Sequence, residues 1–121
     1  MSHILAFDLG TTALKCALHD LNGTVIAKAS EEYQLITPHA DWVEMDVETY
    51  WQAFKSVVAR VLKESGVDPA EIKALGVSAQ GETLIVVDRD GKPLRRAIVW
   101  LDNRAQQEAD ELGDAFNFIV F

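Results

Sequence analysis

Between Asp46 and Gly66 the apolar residues fall on one face of a helix. Val47, Tyr50, Trp51, Phe54, Val57, Val58, Val61 and Leu62 lie at offsets 0, 3, 4, 7, 10, 11, 14 and 15, the spacing of a 3.6-residue repeat. Asp46 suits the N-cap and Gly66 the C-terminal stop, because an aspartate accepts from the first free amides and a glycine tolerates left-handed backbone. A helix with one apolar face must cover another layer. The residues before it supply that layer.

Ile4–Leu9, Leu14–His19 and Thr24–Ser30 read as three strands. Asn22-Gly23 joins the second to the third, a pair suited to a type I′ turn and so to antiparallel neighbours. Residues 34–45 have no period and carry Pro38, which reads as a surface connection. After the helix, Asp68-Pro69-Ala70-Glu71 marks a short helical turn and Ala74–Ala79 a buried strand,. Thr83–Val87 and Ala97–Trp100 read as further strands around an Asp90-Gly91 turn. Asp102 suits the cap of a last helix with Ala105, Ala109 and Leu112 on one face and Gly113 as its stop,. An antiparallel opening followed by a helical crossover predicts an α/β fold with a mixed sheet.

The chain has 121 residues, 49% hydrophobic and 25% charged, enough for one domain with a core,. A formal charge of −8 with no basic block argues against a nucleic-acid partner,. No stretch reaches the roughly 20 apolar residues that span a bilayer, and the short run before Asp8 is not a secretory leader,. Cys16 is the single cysteine, so no internal disulfide is available and a cytoplasmic protein is expected. Residues 113–121 form an apolar end containing Phe116, Phe118, Ile119, Val120 and Phe121. Termini are usually solvated, so this end is expected either to pair with something or to mark a truncation of a longer chain.

Chemistry concentrates in three places. In Asp8-Leu9-Gly10-Thr11-Thr12-Ala13-Leu14-Lys15 an acidic residue ends a strand and a glycine turn with two hydroxyls follows. Such a turn is either a plain capped hairpin or an anion-binding nest. Asp8 would repel bare phosphate, but it suits a phosphate that carries Mg2+. The segment is neither a Walker A loop nor a dinucleotide fingerprint,. The second cluster, Ser78-Ala79-Gln80-Gly81-Glu82-Thr83, sits at a strand end, where ligands gather in open α/β sheets. Gln80 and Glu82 could bond the hydroxyls of a polar ligand, or simply be solvated. The third, Trp100-Leu101-Asp102-Asn103-Arg104, offers an aromatic face for a sugar, or a core tryptophan before a helix cap. His3, His19 and His39 lack ligand spacing for zinc, and Ser78 lacks the context of a catalytic triad,.

Four stretches in order resemble the amino-terminal part of the FGGY family of carbohydrate kinases: Phe7–Lys15; Trp42-Val43-Glu44-Met45-Asp46 leading to Trp51; Leu75–Thr83; and Gly91–Leu94 through Ala97–Arg104. The resemblance covers the chain to about Leu112, which defines a partial kinase domain over residues 1–112. It implies an actin-like, ribonuclease H-like fold and phosphoryl transfer from ATP to a sugar or polyol hydroxyl. Asp8 would face the Mg2+–phosphate end, and Gly10, Thr11, Thr12 and Lys15 would form the first phosphate loop. Gln80, Gly81, Glu82, Trp100 and Asp102 would line the sugar pocket. Family members are several times longer, and their general-base aspartate and adenosine site lie beyond position 121, so the chain alone is expected to be inactive. Gly81 stands where glycerol kinases carry arginine, Gly81-Glu82 stands where xylulose kinases carry methionine-histidine, and Ala13 replaces the usual serine. The sugar therefore does not transfer. Two other readings remain: a non-enzymatic module that binds nucleotide, sugar or protein, and a truncated chain that self-associates through its apolar end.

Overall fold

The computed structural model describes residues 1–116. The chain divides into two compact units, Met1–Gln34 with Asp46–Glu82, and Leu35–Met45 with the described residues from Thr83 onward. The apolar end expected over 113–121 falls largely outside the described residues.

The first unit is a four-stranded sheet ordered β3-β2-β1-β5 with one helix on it. Strands β1 (His3–Leu9), β2 (Ala13–Asp20) and β3 (Val25–Glu32) form an antiparallel meander, and β5 (Ile72–Ala79) runs parallel to β1. Each is one or two residues longer than its sequence pattern, because backbone pairing continues where the side-chain pattern has stopped, and β5, expected to be buried, is largely exposed. Helix α1 (Val47–Ser65) follows an Asp46 cap whose carboxylate accepts from the Glu48 amide, and ends at Gly66 with φ 65°. A 3-10 turn at Pro69–Glu71 then leads into β5.

Register decides which face is core. Phe7 lies opposite Cys16, Leu5 opposite Leu18 and Leu9 opposite Leu14, so these side chains share the face that α1 covers through Tyr50, Ala53, Val57 and Val61. Cys16 is buried there, and burial pushes its thiol pKa up, in keeping with a small core hydrophobe. The helix is rotated slightly from its predicted face. Trp51 is 54% exposed and stacks on Phe54, while Ala53 takes an inward position. A small residue lets the helix lie close to the sheet. The other face carries Ala6, Asp8, Lys15, Ala17, Lys28, Ser30, Gly76 and Ser78, and residues of this face line a hollow of 760 Å3.

The Asn22-Gly23 turn is not type I′. Gly23 has φ 86° but Asn22 is not in the positive region. The Asp20 carboxylate instead accepts from the Asn22 and Thr24 amides, both at 2.8 Å, and a bulge at Leu18/His19 absorbs the offset. Asp88-Arg89-Asp90-Gly91-Lys92 repeats this wiring in the second unit, with Asp88 accepting from Asp90 and Lys92 at 2.9 Å and Gly91 at φ 79°.

The second unit is built from short pieces. Strand β4 (Glu44–Met45) pairs with β6 (Ala97–Ile98), and single bridges add Ile36 to Glu44 and Leu84 to Ile98. Residues 34–45 are thus partly paired, not a bare connection. The strand expected over Thr83–Val87 reduces to bridges at Leu84 and Val87. Val87 bridges Pro93, which has no amide to continue a ladder,. The strand expected over Ala97–Trp100 shortens to Ala97–Ile98. Helix α2 (Gln106–Phe116) begins after Asp102 and passes through Gly113, so neither residue marks an end of it.

Candidate functional site

In the first unit the antiparallel β1–β2 hairpin places residues 10–12 at the same end of the sheet as the last residue of β5, because Leu9 pairs with both Leu14 and Ala79. The turn is tight. The Gly10 amide donates to the Ala13 carbonyl at 3.0 Å, and a Cβ on Gly10 would sit 2.8 Å from that oxygen. Real Cβ atoms do not approach backbone so closely, so glycine is required here by space alone.

Three carbonyls of the turn are engaged by the chain's own donors. The Leu9 carbonyl accepts from the Gln80 amide at 2.8 Å and the Thr12 carbonyl from the Tyr33 amide at 2.9 Å. The Gly10 carbonyl accepts from the Tyr33 hydroxyl and from Gln80 Nε2 at 3.2 Å. Gln80 Nε2 also reaches Tyr50 Oη at 3.3 Å, and the Tyr33 and Tyr50 rings meet edge-on with centroids 5.4 Å apart. Burial, with smaller contributions from Tyr50 and Asp8, pushes the Tyr33 phenol up to about 12. Carbonyl oxygens are the groups that repel an anion, and here they are satisfied inward.

Asp8 lies across from Lys15 and beside Ser78, on the open face. Its Oδ2 is 4.0 Å from the point where a Gly10 Cβ would be. The residues Asp8, Gly10, Thr11, Thr12 and Lys15 therefore form one continuous corner, with Gln80 tied into it. Gly81 and Glu82 follow at the edge of this unit, and Glu82 is the one described non-glycine residue with positive φ, at 64°. Such backbone is sparsely populated and tends to persist at functional positions.

Trp100 and Asp102 belong to the second unit. Trp100 is 48% exposed. Asp102 is not solvent-facing: its side chain is 2% exposed, Oδ2 accepts from the Val43 amide at 2.6 Å and from Arg104 Nη2 at 2.7 Å, and Oδ1 accepts from Arg104 Nε at 2.7 Å. Hydrogen bonds from Arg104 hold its carboxyl down at about 2. Arg104 also reaches Glu44 Oε1 at 2.9 Å and stacks over Trp42 at 3.9 Å. Glu44 is in turn held low, first by Arg104 and then by Arg95. With both oxygens occupied, Asp102 organises this unit and has little capacity left for a sugar hydroxyl.

Tyr33, Tyr50, Glu44 and Trp42 escape a reading of the sequence for chemistry. The two tyrosines could have been flagged on one ground: a buried tyrosine needs a partner for its hydroxyl. Among the described residues no group of three or more His, Cys, Asp and Glu side chains could hold a metal by themselves. An Mg2+ ion that keeps its waters and binds through one carboxylate plus phosphate oxygens is compatible with Asp8 alone. Among the described residues no helix is long and apolar enough to cross a membrane.

Residues 3–118 match the N-terminal domain of the FGGY family of carbohydrate kinases. The chain belongs to that family. A glycerol kinase from Beutenbergia cavernae is 41% identical over 112 residues, which are 92% of this chain and 22% of that protein. A xyloylose kinase from Brucella ovis superposes with a TM-score of 0.89 at 27% identity, covering 93% of this chain and 24% of that one. Plasmodium falciparum glycerol kinase, solved with ADP, gives 0.81 at 26% identity, covering 97% and 24%. This FGGY chain spans between a fifth and a quarter of the length of the proteins it matches. Its mixed sheet and helix are part of the actin-like ATPase fold of those kinases.

Proposed function

We propose that the chain contributes the magnesium–phosphate corner and part of the sugar-binding surface of an ATP-dependent kinase that phosphorylates a sugar or polyol hydroxyl. The observation that carries this reading is the turn at Gly10, where bare backbone and inward-tied carbonyls leave a surface fit for phosphate. ATP supplies the γ-phosphoryl group that is transferred. Asp8 would hold Mg2+, which would neutralise charge on the transferring phosphate, and Thr11, Thr12 and Lys15 would donate to phosphate oxygens. The substrate hydroxyl attacks the γ-phosphorus, the bond to the bridging oxygen breaks with ADP leaving, and the hydroxyl proton passes to a general base that is not assigned to any of the described residues. The segment Gln80–Glu82 of the first unit and, separately, Trp100 of the second are offered as sugar-binding groups, and Asp102 serves indirectly by fixing the strand end before it. Positioning and charge stabilisation account for most of the rate in such transfers, so a rigid corner has a clear task.

By this reading the 121 residues bind nucleotide weakly and do not turn it over, act in the cytoplasm on a small-molecule partner, and have no nucleic-acid or membrane partner. Titration of the chain with MgADP, followed by amide chemical shifts, tests it. Shifts concentrated at residues 8–15 and lost in Asp8→Asn and Gly10→Ala are expected. Equal binding by Gly10→Ala, or ADP release from ATP and a sugar panel above a vector-only background, refutes it. Self-association through residues 113–121 is a separate expectation, and a strictly monomeric mass in light scattering removes it.

A further inference from the structure

We propose that Tyr33 and Gln80 are paired positioning residues that clamp the Gly10 carbonyl from two sides and so hold the 10–12 turn in its phosphate-facing form. This inference rests on the reading of that turn as a phosphate site, and it assigns Gln80 to the turn instead of to the sugar.

The wiring is redundant by design of the sheet. One carbonyl, that of Gly10, receives a phenol O–H from the end of β3 and an amide N–H from just after β5. The backbone amides of the same two residues take the neighbouring carbonyls of Thr12 and Leu9. Each clamp residue therefore grips the turn twice, once by side chain and once by main chain. Tyr50, from the first turn of α1, meets both: its ring packs edge-on against Tyr33 and its hydroxyl lies 3.3 Å from Gln80 Nε2. Tyr33 is 8% exposed, so water does not readily replace its hydroxyl as a donor, and the Tyr50 hydroxyl, on a side chain 7% exposed, accepts from Gln80 Nε2. With its phenol held protonated to about 12, Tyr33 remains a donor across the whole neutral range.

Two donors on one acceptor make a specific prediction. Removing either leaves the Gly10 carbonyl satisfied by the other, whereas removing both leaves a part-buried carbonyl unpaired, which costs more than the loss of two ordinary hydrogen bonds. Amide hydrogen exchange on the 121-residue chain reads this without any ligand. The reporters are the amides of Gly10, residue 33 and residue 80, which donate to the carbonyls of Ala13, Thr12 and Leu9; the controls are Ala6 and Ala17 in the centre of the sheet. Tyr33→Phe and Gln80→Met are each expected to speed exchange at the reporters about threefold to tenfold, and the double variant by more than the product of the two. The controls stay within twofold. A purely structural loss would instead move reporters and controls together.

Reporter protection within twofold of the parent in the double variant overturns the clamp, as does equal loss at the controls. MgADP titration of the same variants separates this from the underlying reading. Loosened reporters with weakened MgADP binding support both. Loosened reporters with unchanged MgADP binding keep the clamp and overturn the phosphate assignment.

Discussion

Replacing Arg104 by methionine should destabilise the second unit by about 3 kcal/mol at neutral pH, at the low end of the range for breaking a buried ion pair. The structure sets that magnitude. Arg104 is 15% exposed at its side chain and lies between Asp102 and Glu44, whose side chains are 2% and 8% exposed. Without the guanidinium, Asp102 keeps the amides of Val43 and residue 104, and Glu44 keeps Arg95 at 2.9 Å. Neither carboxylate is wholly abandoned, which places the cost below the upper figure of about 5 kcal/mol. Loss of the cation over Trp42 adds about 0.5–1 kcal/mol,. Urea unfolding, followed by tryptophan fluorescence and circular dichroism, reads the midpoint shift at constant slope. The pH dependence is a second signature. The Asp102 carboxyl is depressed to about 2 in the folded chain, so its stabilisation is fully present above the unfolded carboxylate value of about 3.9 and is lost as pH falls through 2. The deficit of Arg104→Met should therefore be largest at pH 7 and fall by roughly half by pH 3. Arg104→Lys keeps the charge without the fork and should lie between the two. A deficit under about 1 kcal/mol at pH 7, or one that is the same at pH 7 and pH 3, refutes the reasoning.

Three further outcomes follow, two from the first unit and one from the second. Because the Tyr33 phenol is raised from 10 to about 12, mainly by burial, its contribution to stability is complete below pH 10 and is lost as pH rises through 12. Alkaline unfolding should therefore show a step in that window that Tyr33→Phe lacks. Gly23 has φ 86° and open space where a Cβ would go, so Gly23→Ala should cost about 1 kcal/mol through backbone strain alone, measured by thermal melting. Gly91→Ala, at φ 79° with the same open surroundings, should cost as much, and a difference above about 1 kcal/mol between the two would break the equivalence of the turns.

The parts that read well from the sequence are those where one periodicity holds over many residues. Helix α1 with both caps and the meander of β1 to β3 follow from periodicity and from Asp46 and Gly66, whereas β5 is read as a strand but wrongly as a buried one, since it ends the sheet order and leaves Leu75 and Val77 exposed. Where pairing lasts one or two residues no period exists to be read: the pieces around Ile36 and Glu44 are invisible for that reason, and the strand read over Thr83–Val87 shrinks to bridges at Leu84 and Val87. The turn at Asn22-Gly23 is placed correctly but its type I′ reading is wrong, since its geometry depends on the Asp20 carboxylate two residues upstream. Asp102 was selected as a polar residue beside an aromatic one; its neighbours in sequence give no sign that Val43, 59 residues away, and Arg104 occupy its oxygens. Tyr50 enters the helix pattern as an apolar body and Tyr33 falls between the strand read over Thr24–Ser30 and the connection at 34–45, and a hydropathy pattern does not register a hydroxyl that must find a partner.

The spacing of the motifs could place Gly10 and Gln80 each at a strand end, yet 70 residues separate them and nothing local says that they meet. Register settles it. Because β5 runs parallel to β1, both chains leave the sheet at the same end, and because β2 returns antiparallel beside β1, the 10–12 turn stays there too. The loop that follows β5 then has no course that avoids the turn, and Gln80, its first residue, reaches Leu9 by its amide and Gly10 by its side chain. A residue at that position is drawn into holding the corner at Gly10, and the positive φ of Glu82 two residues on turns the chain away from it.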